Sequence, residues 1–238
     1  MKRTAEIAAR YGKETWMTEH YVEGGDGTWM DDLRFAQEVN ESMLAGANAY
    51  VSWYMIGVGA FCGDGRELDK YPYNTWGNPY MSRCMAMAHF SKHIIGANRL
   101  VTTPDIPADG ANFEYSAYVK GDSLIVILVN LDAKSNTAKL DLPYKVNSGK
   151  CIQSTDGNLY VESDVSIETP KSSFNLILPA KSITTYVYQM DAEAMGIGTI
   201  ATTNDKSSYD NGYYTLDGVR HDSPVRGINI HRGKKIMY

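Results

Sequence analysis

The chain reads as two fold classes in series, an α/β segment over residues 1–98 and an antiparallel all-β segment over residues 99–190. Two observations carry this. Early in the chain, apolar residues at helical spacing alternate with short runs rich in aromatic and β-branched residues, the helix–strand order that pairs strands in parallel. From about Leu100 the helical spacing gives way to short alternating or wholly apolar runs between glycine turns, as in an antiparallel sandwich.

The first helix is expected from Lys2 to Arg10, closed by Gly12 where a left-handed residue is needed. Trp16-Met17-Thr18-Glu19-His20-Tyr21 follows as a strand, because these side chains suit a pleated, half-buried surface. Gly24-Gly25-Asp26-Gly27 cannot continue it. Asp31 is the expected cap of a second helix with Leu33, Phe35, Ala36, Val39, Met43 and Leu44 at helical spacing, ended by Gly46. A second strand runs from Ala49 to Met55. The long stretch from Ile56 to Gly77 is a loop, and loops of that length in compact domains are usually functional. Asn78-Pro79 is the expected opening of a third helix, with Met81, Cys84, Met85 and Ala88 on one face and its end near Gly96.

In the all-β segment, strands are expected at Phe113–Val119, Leu124–Val129, Ser173–Leu178 and Ile183–Tyr188. Turns are marked by Lys120-Gly121-Asp122, Asp156-Gly157-Asn158 and Leu178-Pro179-Ala180. Leu124–Val129 is apolar on both faces and should be central. Residues 191–212 are small, polar and without period, a linker; residues 213–238 hold two hairpins, turning at Asp217-Gly218 and Arg232-Gly233.

A net charge of −5 gives no overall pull toward nucleic acid, and the basic residues of the tail are too few for a phosphate track. No run is long enough to span a membrane, and Glu6 and Arg10 interrupt the amino terminus where a signal peptide would be apolar. Cys62, Cys84 and Cys151 form no disulfide framework, although Cys62 and Cys84 could meet across the long loop. His89 and His93 share a helix face with Cys84 a turn or two earlier, but with no fourth ligand no metal site is assigned. All four Trp lie in the first third of the chain, where indoles serve either as core or as platforms for sugar rings.

Glu19 has the most pointed position. It stands at the carboxyl end of a strand, beside aromatic residues and a histidine, where the chemistry of βα barrels is placed. Such a carboxylate either attacks an anomeric carbon or simply hydrogen-bonds a loop; spacing leaves both open.

Trp16-Met17-Thr18-Glu19-His20-Tyr21, followed by Asn48-Ala49-Tyr50-Val51-Ser52-Trp53-Tyr54, resembles the seventh and eighth barrel strands of glycoside hydrolase family 30, in its xylanase branch. Tyr115–Asp122 and Leu178–Tyr186 resemble the β-sandwich attached to that barrel, so the likeness covers about residues 1–190. It implies the last two βα units of a (β/α)8 barrel followed by an antiparallel β-sandwich. It also implies a retaining endo-β-1,4-xylanase acting on a xylan-type polysaccharide, with no cofactor. Glu19 would be the nucleophile and Trp53 would face the sugar, with Tyr54, His20 and Tyr21 as further substrate-binding residues. Residues 213–238 are similar to carboxyl-terminal sorting segments of secreted Bacteroidota proteins, which implies an exported parent.

Two departures from the family pattern qualify this. The family's acid/base Glu lies on the fourth strand, and this sequence opens just before the seventh, so the expectation is a fragment inactive on its own. The glucuronate-reading branch carries Arg soon after the Trp-Tyr pair, where this chain has Ile56 and Gly57, so dependence on glucuronate is not expected. The alternatives are another activity of the family, β-glucanase or β-glucosidase, and a non-catalytic carbohydrate-binding module. Protease is expected to trim residues before about Leu100 and leave a core within roughly 100–190.

Overall fold

The computed structural model describes residues 1–20, 28–53, 55–57, 60–72, 74–76, 82–100 and 112–191, with 213–215, 220–225, 228–231 and 234–237 nearer the carboxyl terminus. The chain divides into two compact units, Met1–Gly196 and Ile197–Tyr238.

The first unit begins with α1 (Lys2–Arg10), β1 (Trp16–His20), α2 (Trp29–Leu44), β2 (Ala49–Ser52) and α3 (Ser82–Ser91). Both early helices end as the glycines foretold. Past α1, Lys13 N–H reaches Ala8 O and Gly12 N–H reaches Ala9 O, with Gly12 at φ +62. Past α2 the same pair of bonds recurs, Ala47 to Ser42 and Gly46 to Met43, with Gly46 at φ +107. These are Schellman closures, which use the last free carbonyls of each helix. A Cβ on Gly46 would stand 2.8 Å from that of Ala5, so this glycine also lets α1 approach. β1 and β2 pair in parallel, as the α/β order requires.

The start of α2 differs from expectation. Thr28 is its N-cap, and Asp31 lies in the first turn, buried, 3.3 Å from Arg34. The helix starts a turn early because Trp29 is itself anchored: it is 6% exposed and its Nε1–H donates to Lys181 O at 2.6 Å. Leu44, expected on the apolar stripe, is exposed. On α3 the buried residues are Arg83, Ala86, Ala88, His89 and Phe90; Ala88 was expected, whereas Cys84 and Met85 are only half-buried. Hydropathy hid Arg83 and His89 because both are buried through partners: Arg83 Nε donates to Asp32 at 3.1 Å, and both ring nitrogens of His89 are bonded. Asn78, Pro79 and Met81 lie outside the described residues.

The remainder of this unit is one six-stranded antiparallel sheet. Its strands are β3 (Asn98–Arg99), β4 (Phe113–Lys120), β5 (Ser123–Asn130), β6 (Asn136–Thr155), β7 (Asn158–Leu178) and β8 (Ser182–Met190), in the order β3-β4-β5-β8-β6-β7. β6 and β7 form a long hairpin around Gly157 (φ +75), whose register breaks between Asp141 and Val146. The hairpin curls over one face of the sheet. Ala138, Leu140 and Leu142 of β6, with Phe174, Leu176 and Leu178 of β7, pack on Leu124, Val126 and Leu128 of β5. The opposite face of β5, Ile125, Ile127 and Val129, packs on Leu33, Phe35, Ala36 and Val39 of α2 and on Ala86 and Phe90 of α3. The doubly apolar strand is therefore central, and one helix layer and one curled sheet share it. Burial of each of these Leu, Ile, Val and Phe side chains contributes about 1.5–3 kcal/mol.

The second unit is a four-stranded antiparallel sheet, β9 (Tyr213–Thr215), β10 (Arg220–His221), β11 (Ile228–His231) and β12 (Lys234–Met237), in the order β10-β9-β11-β12. The pairs β9/β10 and β11/β12 match the two expected hairpins. Their turns, and the linker from residue 192, lie outside the described residues. β9 also pairs with β11, and Tyr213 stacks on His231 with centroids 4.4 Å apart.

Candidate active site

The site is assembled where β1 and β2 end. Thr15 and Asn48 open the ladder: Asn48 N–H donates to Thr15 O at 2.7 Å, and Thr15 N–H to Asn48 Oδ1 at 2.9 Å. The pairing then runs Trp16–Ala49 and Met17–Tyr50, slips, and resumes at His20–Ser52. Slips of this kind re-aim side chains at strand ends. Glu19 lies in the slipped portion and is exposed. Trp53 follows directly on β2, 50% exposed, and its backbone N–H donates to His20 O at 2.9 Å. The two leading residues of the sequence reading thus sit on adjacent backbones.

His20 itself is turned onto α2. Its Nε2 lies 2.7 Å from Glu38 Oε1, and its ring packs on Tyr50 at 6.4 Å. Tyr50 continues edge-on to Phe35, and Phe35 to Phe61, which ties the strand tips into the helix core. Burial raises the Glu38 carboxyl above its ordinary range, opposed by His20. Burial and then the Glu38 charge raise the Tyr50 hydroxyl. On the other flank of α2, Gln37 and Asn40 donate to Glu114 of β4, at 3.1 and 3.2 Å.

Glu38 and Tyr50 were not among the expected site residues. A signal for Glu38 existed, since it stands three residues beyond buried Phe35 at the edge of the apolar stripe. Tyr21 and Tyr54 lie outside the described residues. Of the four indoles only Trp29 is core; Trp16 and Trp76 are 58% and 79% exposed.

The long loop folds on itself around buried Asn74, which accepts from Asp64 N–H at 3.0 Å and donates to Asp64 Oδ1 and Arg66 O at 2.7 and 2.9 Å. Arg66 N–H also donates to Asp64 Oδ1 at 3.0 Å, and this bond first, then that from Asn74, lowers the Asp64 carboxyl below its ordinary range. The Arg66 side chain is exposed. A groove of about 660 Å³ lies on the sheet, lined by Ser123, Ser148, Lys150, Asp164, Ser166 and Gln189 among others, and includes none of the candidate site residues.

No protein-family model matches the chain. The glucuronoxylanase XynC of Bacillus subtilis strain 168 is 30% identical over 188 residues, 74% of this chain and 40% of that enzyme. The family 30 subfamily 8 xylanase Xyn30A of Clostridium acetobutylicum superimposes with a TM-score of 0.63 at 25% identity, over 77% of this chain and 44% of that one. This chain is similar to the carboxyl-terminal portion of glycoside hydrolase family 30 xylanases. The family 30 endoxylanase of Clostridium papyrosolvens C71 shares the fold, with a TM-score of 0.59 at 24% identity over 76% of this chain and 43% of its own. The chain thus spans well under half the length of the family 30 enzymes it matches.

Elsewhere in this family 30-like unit, the histidines of α3 are engaged with the sheet. His89 Nδ1 and Nε2 meet Thr185 Oγ1 and Ser154 Oγ at 2.8 and 2.7 Å, and His93 Nε2 meets the Tyr160 hydroxyl at 2.8 Å. Among the described residues no group of three or more His, Cys, Asp or Glu could hold a metal ion, and no helix is long and apolar enough to cross a membrane. Cys62, Cys84 and Cys151 are free thiols, so the conceivable Cys62–Cys84 bridge is not made.

Proposed function

We propose that this chain carries the nucleophile strand of a retaining endo-β-1,4-xylanase, with Glu19 as the nucleophile and Trp53 as the adjoining sugar platform. The observation that carries the reading is the junction of β1 with β2: an exposed carboxylate one residue before the carbonyl that holds Trp53. The 30% identity to an enzyme named a glucuronoxylanase supports the substrate class. In the step proposed, the Glu19 carboxylate attacks the anomeric carbon and the bond to the leaving oxygen breaks. A second carboxyl group, about 5–5.5 Å away, supplies that oxygen with its proton. Water then hydrolyses the glycosyl ester, activated by the same second group. As further substrate-binding residues we propose Tyr21, Tyr54 and His20, and the parent protein is proposed to be exported with residues 213–238 as its sorting segment.

These 238 residues offer a candidate for the first carboxyl group and none for the second, so we expect no sugar release from the chain alone. The test is a hybrid in which residues 1–98 replace the corresponding segment of the Bacillus subtilis enzyme. The hybrid should hydrolyse xylan, and Glu19→Gln should lower kcat by several orders of magnitude, as expected for a removed nucleophile. With Ile56 and Gly57 after Trp53, unbranched xylan should be cut within about a hundredfold of the rate on glucuronoxylan, an interval of ~2.7 kcal/mol. A hybrid that remains fully active with Gln at this position would remove Glu19 from the role.

A further inference from the structure

His20 joins three parts of the molecule. Its carbonyl accepts from Trp53 N–H at 2.9 Å, its ring packs on Tyr50, and its Nε2 meets Glu38 at 2.7 Å. Its other ring nitrogen, Nδ1, is buried with no hydrogen-bond partner among the described residues. That asymmetry favours one tautomer. A proton on Nδ1 would be a buried donor with no described group to accept it, and such a group is costly. A proton on Nε2 alone satisfies Glu38 and leaves Nδ1 as a bare lone pair, the smaller loss. Glu38 is fixed in turn by its place on α2, whose neighbouring side chains Phe35 and Val39 are buried in the core.

We propose that Glu38 is a positioning residue: its carboxylate accepts Nε2–H of His20 and so pins the end of β1, with Glu19 on it and Trp53 bonded to it, onto helix α2. The chemical logic is that of a carboxylate that holds an imidazole in one tautomer and one orientation. Here the imidazole need not exchange protons with substrate. It transmits the rigidity of α2 to a strand tip that leaves the regular ladder at its slip. Removal of Glu38 would free the ring, then the His20 carbonyl, and with it Trp53.

The inference rests on the proposed function only in naming Glu19 a nucleophile, and its test needs no hydrolysis. At about pH 8, where a free imidazole is mostly neutral, long-range ¹H–¹⁵N spectra of the whole chain show which nitrogen of His20 bears the proton. The wild type should show Nε2–H; Nδ1–H there would overturn the proposal without any variant. Glu38→Ala should shift His20 toward mixed tautomers and speed exchange of the Trp53 backbone amide by about tenfold or more. Glu38→Gln keeps an acceptor oxygen and should restore both signals to the wild-type pattern. An unchanged tautomer and unchanged Trp53 exchange in a folded Glu38→Ala chain would show that α2 holds the strand without this bond. If Glu19 proves not to be the nucleophile, these signals are unaffected, so the two readings fail separately.

Discussion

At the scale of single residues, the clearest polar commitment is His89. It is fully buried, and both ring nitrogens are engaged by Thr185 and Ser154. Burial, with a smaller contribution from His93, lowers it from 6.5 to about 3. Unfolded, the residue takes a proton near the ordinary value; folded, it resists until about 3. Between those values the unfolded state binds more protons. Stability that is complete above pH ~6.5 is therefore lost on acidification, by up to about 1.4 kcal/mol per pH unit. His93, also lowered chiefly by burial, adds a contribution of the same sign. His89→Gln, which keeps a donor and an acceptor, should flatten the decline measured by urea unfolding between about pH 6.5 and 4. An equally steep acid limb in the variant would contradict the assignment. Sequence gave a different view of this residue, as one of a pair sharing a face. Periodicity reports which way a side chain points on its helix but not what arrives from the sheet, and here the partners are 65 and 96 residues away.

At the scale of elements, α2 and α3 are clasped by a buried ion pair. Asp32 accepts from Arg83 Nε at 3.1 Å and from the Ser82 hydroxyl, and the guanidinium lies over the Phe35 ring at 5.5 Å. Breaking one side of such a pair strands a charge, at about 3–5 kcal/mol, whereas apolar replacement of both often restores stability. Asp32→Leu and Arg83→Met should each lower stability by that amount, and the double variant should be more stable than either single one. A simple sum of the two losses would mean that the pair does not act as a unit. The helices and their ends were legible because a 3.6-residue period and a terminal glycine are local signals, as Gly12 and Gly46 illustrate. The β6/β7 hairpin was legible only at its turn and in Ser173–Leu178. Over much of its length, at Glu162, Asp164, Glu168 and Lys171, it faces solvent and carries no apolar alternation to read. The slip at Glu19 was hidden for a related reason: it is set by pairing with β2, which a single strand's composition does not contain.

At the scale of the first unit, the sequence suggested a sheet that would outlast a loosely attached α/β part. The structure joins them instead. Leu33, Phe35 and Val39 of α2 are as deeply buried as Ile125 and Ile127 of β5, and in the same cluster. The resistant core should therefore include α2 and α3, in place of the trimming before Leu100 that the sequence suggested. Native-state hydrogen exchange provides the measurement: the slowest amides of α2 and of β5 should open with the same free energy and respond equally to Ile127→Ala. Opening of α2 at a much lower free energy, with β5 unaffected, would restore the picture of separate parts.

The doubly covered strand also has a consequence in time. During synthesis α2 emerges before β5, so the helix-side face can be sheltered early. The other face is completed only when β7 residues about fifty positions downstream arrive, and the β8 edge only by residues about sixty positions downstream. Meanwhile Ser-Leu-Ile-Val-Ile-Leu-Val-Asn is an uncharged, proline-free window of high β-propensity, guarded only by Lys120, Asp122 and Asp132 at its borders. Self-association of newly made chains should concentrate on those eight residues. A charge at Ile125 or Ile127 would suppress it only by abolishing the seat of α2.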